Sequence, residues 1–388
     1  MRPNQGLPTW LVLMLAVMAG VSVANLYYCQ PLLNMIREDM ALSEFQVNLM
    51  PVCTQVGYAL GLLFIIPMGD KYNRRTTILL CFGMLVCSLL GIATSASAVS
   101  LLVASFVTGI FSVAPQVFMP FVSLYSRPEE KERKTGLILS GLLTGILASR
   151  VVSGYVGHLF GWRTMYYIAA ALIAMSALII MRVFPYAAPT FQGRFMRLMT
   201  SIFRLARNHP KSITYSVRSA LAFGSFLGLW GCLAFRMKEA PFFVGSDTVG
   251  MLGLCGVAGA LTASNVGKYI PCLGIERLNT IGMTLIIFAW IVIAVFQDYY
   301  TGIIVSIIIM DIGMQCIQLS NQSATMRLSP DAPSRMNTIF MVTYFIGGSL
   351  GTFLTGTLWS LFGWYGTVAA GVGMTLTAML FTAVRNRK

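Results

Sequence analysis

Twelve stretches of about 20 largely apolar residues, each long enough to cross a ~30 Å hydrocarbon layer as a helix, run through this chain from end to end. The first six are 11–32, 47–68, 76–94, 99–124, 136–157 and 165–183; the second six are 213–235, 249–266, 278–296, 301–325, 338–361 and 363–384. In lipid each backbone N–H and C=O must find its partner inside the protein, so an isolated apolar run of this length can only be a helix. A soluble core is excluded by charge. Only 10% of the 388 residues are charged and 56% are hydrophobic, whereas a soluble domain carries about 25% charged residues. The sequence therefore predicts an all-α membrane protein of twelve transmembrane helices in two six-helix bundles, residues 1–183 and 213–388. A cytoplasmic linker, 184–212, joins them.

Charge placement orients the chain. The net charge is +14, which in a soluble protein would point to nucleic acid. Here 22 of the 27 basic residues fall on the side that holds both termini, four fall on the other, and Arg150 lies within a span. Acidic residues divide evenly, with Asp311 left inside a span. The excess of Lys and Arg on one side places both termini in the cytoplasm of an inner (plasma) membrane, multi-pass, and needs no nucleic-acid partner. One arginine and no small-residue cleavage site precede the first apolar run, so it is expected to stay as a span. In the linker, Arg194, Arg197, Arg204, Arg207 and Lys211 share one helical face and Phe195, Met199 and Ile202 another. This pattern suits a basic amphipathic helix on the anionic inner leaflet; the competing account is a disordered basic linker.

The halves repeat. At an offset of 202 residues, Gly145, Gly154, Leu159, Phe160, Gly161 and Trp162 lie over Gly347, Gly356, Leu361, Phe362, Gly363 and Trp364, and the loop Pro128 to Arg133 lies over Pro330 to Arg335. One offset that aligns helix, turn and loop marks an internal duplication, and such repeats place the solute site near the bilayer midplane between the halves.

Between the second and third spans, Gly69-Asp70-Lys71-Tyr72-Asn73-Arg74-Arg75 resembles the loop motif of the major facilitator superfamily, roughly G-x-x-x-D-[RK]-x-G-R-[RK]. Asp70, Lys71, Arg74 and Arg75 match; Ile66 and Asn73 stand where the two glycines belong. Asn tolerates a left-handed backbone, so the turn is expected to survive. The resemblance implies that Asp70 is a cytoplasmic latch aimed at a helix N-terminus; the competing account is a solvated topology signal. Relative to the drug–proton antiporter branch, Ser105 replaces an arginine in the fourth span, and Ser149-Arg150 replaces Gly-Pro in the fifth.

Polar residues within spans must face protein or water. Asp311, Gln315, Gln318 and Gln322 stack on one face of the tenth span, as Ser105, Thr108, Ser112 and Gln116 do in the fourth. Asn25 and Tyr28 in the first span and Gln55 in the second complete the candidate cavity wall; hydrogen bonding between helices is the alternative use. The eight cysteines are scattered and read as packing residues. No metal-ligand spacing and no phosphate loop with GKS or GKT occurs, so no cofactor and no ATP-driven step is expected. Arg150 and Asp311, in opposite halves at similar depth, are the proton-coupling candidates. They are expected to meet when the outer gate closes, and Asp311 to take up a proton when they part; a static ion pair is the competing account. The whole reads as a monomeric secondary transporter in the lipid bilayer, exchanging protons for small organic compounds in efflux. Uptake or facilitated passage of a small polar nutrient is the alternative on the same scaffold. A sensor or scaffold would need a polar output domain, and an enzyme a nucleophile or metal set; the 388 residues show neither.

Overall fold

The computed structural model describes residues 6–185, 195–329 and 331–386, without the side chains of Asp70, Ser264, Lys268 and residues 383–386. The architecture is all-α. Among the described residues, eleven helical segments are long and apolar enough to cross a membrane. The last of these is two spans, because Gly363 breaks it with φ 61° and ψ −145°, a backbone conformation that favours glycine. Gly161, its equivalent in the repeat, takes φ 83° at the turn between the fifth and sixth spans. Twelve spans result, six in each half.

Several spans are interrupted where the sequence withholds a backbone bond. The first is α1 (Thr9–Ala24) followed by α2 (Cys29–Asp39). Pro31 supplies no N–H, and the Asn25 side-chain amide donates to the Val21 and Ser22 carbonyls, 3.1 Å each, closing α1. The second and third spans are α3 (Glu44–Lys71) and α4 (Arg74–Ala93), and the fourth is α5 (Ala98–Phe111) with α6 (Ala114–Tyr125), broken just before Pro115. These two breaks touch: the Ser22 hydroxyl donates to the Ser112 carbonyl at 3.2 Å. The fifth, sixth and seventh spans are α7 (Lys131–Phe160), α8 (Trp162–Val183) and α10 (Pro210–Lys238), with the linker helix α9 (Phe195–Asn208) before the last. In the eighth, α11 (Ser246–Leu252) and α12 (Val257–Leu273) are joined by a 3-10 turn, Gly253–Gly256. The ninth and tenth spans are α13 (Ile275–Val295) and α14 (Tyr300–Arg327); α15 (Pro333–Asn386) forms the eleventh and twelfth.

Close backbone contact repeats the duplication. A Cβ on Gly20 would lie 2.6 Å from the Gly141 carbonyl oxygen, and one on Gly224 would lie 2.6 Å from that of Gly347. The first and fifth spans thus cross as the seventh and eleventh do, through small residues that let the backbones approach. Helix α9 does not lie free beside the bundles. Its Leu198, Met199 and Ile202 are buried, with Met199 and Ile202 packed among Met336, Ile339 and Leu63, so the apolar face expected to meet lipid meets protein.

Candidate functional site between the bundles

Call the side that holds both chain termini the terminal end. At the opposite end the two halves close on each other through pairs related by the 202-residue offset. The Ser246 hydroxyl donates to the Gly154 carbonyl at 3.0 Å, and a Cβ on Gly250 would lie 2.5 Å from the Arg150 carbonyl oxygen. The equivalent crossing has Asn48 Nδ2 donating to the Thr352 carbonyl at 3.0 Å. Trp359 Nε1 donates to Glu44 Oε2 at 2.8 Å, and Lys238 pairs with Glu38 at 3.4 Å. Tyr58 against Phe345, ring centres 4.5 Å apart, marks the inner limit of this closed region.

On the terminal side of that aromatic pair lies a cavity of about 210 Å³ between the halves, lined by Leu62, Ile66, Gln116, Met119, Ser123, Thr135, Ser334, Asn337 and Met341. Among the described residues no charged side chain lines it, and its wall is mixed polar and apolar. Gln322 Nε2 donates to Asn337 Oδ1 at 2.8 Å at this wall, and Gln318 Oε1 accepts from the Tyr344 hydroxyl at 2.8 Å. A larger groove of about 640 Å³ between the third and fourth spans is lined by Met84, Val103 and Val107 among others. It lies within one half, away from the crossing, and is no route between the bundles.

The candidate residues separate into groups. Gln116 lines the cavity, and Gln322 touches its lining. Gln315 is half-buried on the same face of α14. The Asn25 amide nitrogen donates within its own helix, while its Oδ1 is buried with no hydrogen-bond partner among the described residues. Tyr28 and Gln55 are buried, and Gln55 Oε1 has no hydrogen-bond partner among the described residues.

Arg150 and Asp311 occupy neighbouring turns along the eighth span. Arg150 packs on Gly253, where a Cβ would lie 2.8 Å from its own; the Asp311 carboxylate faces Gly256 and Gly259. They do not form the expected ion pair, although the end opposite the termini is closed. The reason is local. Arg150 Nε donates to Gln30 Oε1 at 2.7 Å, and the guanidinium lies 4.0 Å from the Trp230 ring and 5.2 Å from that of Tyr27. Cation–π contacts of this kind hold an arginine well in a dry site. Asp311 Oδ2 is left buried with no hydrogen-bond partner among the described residues.

Other groups depart from the sequence reading. Arg218, one of the 22 basic residues on the side of the termini, is fully buried in α10 and pairs with Glu276 at 3.1 Å. Lys134 is buried too, donating to the Leu7 carbonyl and to Glu130, 2.6 Å each. Long stems let such heads reach the end of a span while their carbons stay in it. Asn321, one residue before Gln322 on α14, is fully buried. It joins three helices, donating to Asn279 Oδ1 at 2.6 Å and Ser219 Oγ at 3.0 Å. In the motif loop, Asn73 does not use the left-handed region: at φ −61° it caps α4, its side chain accepting from the Arg75 amide at 3.0 Å. Lys71 lies over the Tyr72 ring, Arg74 is buried, and Arg75 donates to the Met181 carbonyl at the end of the sixth span. The Asp70 side chain, and with it the latch, falls outside the described residues.

Two duplicated six-helix bundles, packed together at one end and enclosing a cavity of mixed polarity on the other side of that crossing, have the architecture of a membrane transporter. The family model for the Major Facilitator Superfamily matches residues 13–352, and the chain belongs to that superfamily. It is 32% identical to the uncharacterized transporter YgaY of Escherichia coli O157:H7 over 384 residues, covering 98% of this chain and 96% of that one. It is 28% identical to the probable transporter SCO4007 of Streptomyces coelicolor over 373 residues, covering 96% and 86%. Among solved structures it resembles a point variant of the nucleoside transporter NupG, with TM-score 0.79, 15% identity and coverage of 96% and 99%. It also resembles a bacterial homologue of the human lysosomal transporter Spinster in an inward-facing, occupied conformation, with TM-score 0.77, 15% identity and coverage of 97% and 96%.

Proposed function

We propose that this chain is a proton-coupled carrier of small organic solutes in the inner membrane, acting as a monomer, with Asp311 as the group that takes up and releases the proton. One observation carries the reading: a carboxylate 7% exposed, in the middle of a span, whose Oδ2 has no hydrogen-bond partner among the described residues. An intramembrane charge without a structural partner is costly, and its use is functional by default. With the basic end inside, as the charge bias supports, the closed end is the outer gate and the Gln116–Asn337 cavity is the inner vestibule. The solute enters or leaves between Gln116, Asn337 and Gln322.

Two directions fit this machinery. Efflux follows from the resemblance to the antiporter branch. Uptake of a small polar nutrient is supported by the Ser149-Arg150 departure from that branch and by the likeness to a nucleoside transporter. The test of proton coupling is Asp311→Asn in proteoliposomes, assayed against a solute panel with and without a pH gradient. The expected outcome is loss of gradient-driven accumulation with solute exchange retained; full uphill transport by the variant refutes the assignment.

A further inference from the structure

Resting on the proton-coupling reading, the surroundings of Arg150 name a solute class. This cation is 3% exposed, and its one hydrogen bond to a described residue is Nε to Gln30. Trp230 and Tyr27 approach the guanidinium, and their π-systems offset part of its lost hydration. Rings leave the Nη1 and Nη2 groups without lone pairs to bond, and these two make no hydrogen bond to a described residue. Among the described residues, the one carboxylate in electrostatic reach is Asp311, beyond ion-pair distance. The other titratable groups facing the pair are neutral hydroxyls and thiols: Tyr27 and Cys29 from the first span, Cys255 from the eighth and Tyr344 from the eleventh.

With Asp311 ionised, the two charges balance. Once Asp311 takes up a proton, Arg150 stands as an uncompensated buried cation, a costly state. A planar oxyanion matches the free edge of the fork with two parallel N–H···O bonds. We propose that Arg150 docks the carboxylate of a small monoanionic organic solute, which is carried together with the proton on Asp311. One guanidinium edge and one protonatable carboxylate set the load at one negative charge and one proton. The loaded site then has the same net charge as the empty site with Asp311 ionised. A cationic solute is disfavoured, because the field of Arg150 cancels that of Asp311. Proton and solute travel in the same direction, so an inward proton gradient drives uptake, the second of the two directions above.

The test uses the purified full chain and formate, the smallest carboxylate, with nitrate and formamide alongside, read by line broadening of ¹³C-formate and by its displacement. In the native protein, formate binding strengthens as the pH falls, because proton and anion binding are reciprocally linked. Asp311→Asn, which fixes the neutral form, binds formate at every pH about tenfold more tightly than the native protein does at alkaline pH, within the usual coupling range of roughly 5–150-fold. Arg150→Gln binds none, and formamide does not compete. A tighter-binding variant cannot be mistaken for an unfolded one. Formate binding that is unchanged in Arg150→Gln, or absent from both the native protein and Asp311→Asn, overturns the anion site. Nitrate binding without formate binding overturns the organic class in favour of an inorganic oxyanion. If Arg150→Gln abolishes binding but the pH dependence survives in Asp311→Asn, the anion site stands and it is the assignment of the proton to Asp311 that fails.

Discussion

Substituting Gly154 by alanine should hold the outer gate open. A Cβ at that position would lie 2.4 Å from the Ser246 carbonyl oxygen and 3.1 Å from Gly250 Cα. Both are backbone atoms of the eighth span, so no rotamer change relieves the clash, and ordinary contact requires the fifth and eighth spans to part by about 1 Å. Overpacking of this sort costs about 1–3 kcal/mol, and the Ser246-to-Gly154 hydrogen bond, worth about 1 kcal/mol net, stretches as they part. The closed state is therefore disfavoured roughly 5–150-fold. Cross-linking of Glu38→Cys to Lys238→Cys, across an ion pair of 3.4 Å, reads that population once the eight native cysteines are replaced. The rate should fall in Gly154→Ala as the closed population shrinks, by at most that ratio, at unchanged recovery of folded protein. Gly356→Ala, at the equivalent crossing, meets the Asn48 side chain instead of backbone, so its defect should be relieved by adding Asn48→Ala. An unchanged cross-linking rate in Gly154→Ala would refute the gate.

A cysteine at position 207 should react with an impermeant thiol reagent only from the cytoplasmic side; labelling from outside would invert the topology. Asp70→Asn should insert normally yet slow transport several-fold, whereas normal transport would reduce Asp70 to a topology signal. Arg163 and the Trp162 indole hold the Asp39 carboxyl below its ordinary range. The stability this contributes is present at neutral pH and is lost as the pH falls below about 4 toward the depressed value. Asp39→Asn should thus lower detergent thermal stability at pH 7 by less than about 1 kcal/mol, since the pair is exposed, and the difference should vanish in acid.

The sequence alone determined the spans, the duplication and the all-α class, because each rests on local physics. A run of apolar residues must close its own backbone bonds in lipid, and side chains four residues apart must share a helix face. The two turn glycines, Gly161 and Gly363, were legible for the same reason: the offset matched them and their positive φ is a local demand. The candidate pair Arg150 and Asp311 was legible as two intramembrane charges, but not its geometry. Arg150 finds Gln30 across 120 residues of chain and Trp230 in the other half, a choice made by how the bundles dock. Likewise no local pattern distinguished Asn321, which ties three helices together, from its neighbours on the cavity face. In the sequence the first and fourth spans read as unbroken; their interruptions near Pro31 and Pro115, and the contact of these breaks at Ser22 and Ser112, were decided by the tertiary structure. Helix formation in a membrane is settled within each segment, whereas partner choice between segments depends on the register and crossing of helices that the chain brings together from far apart.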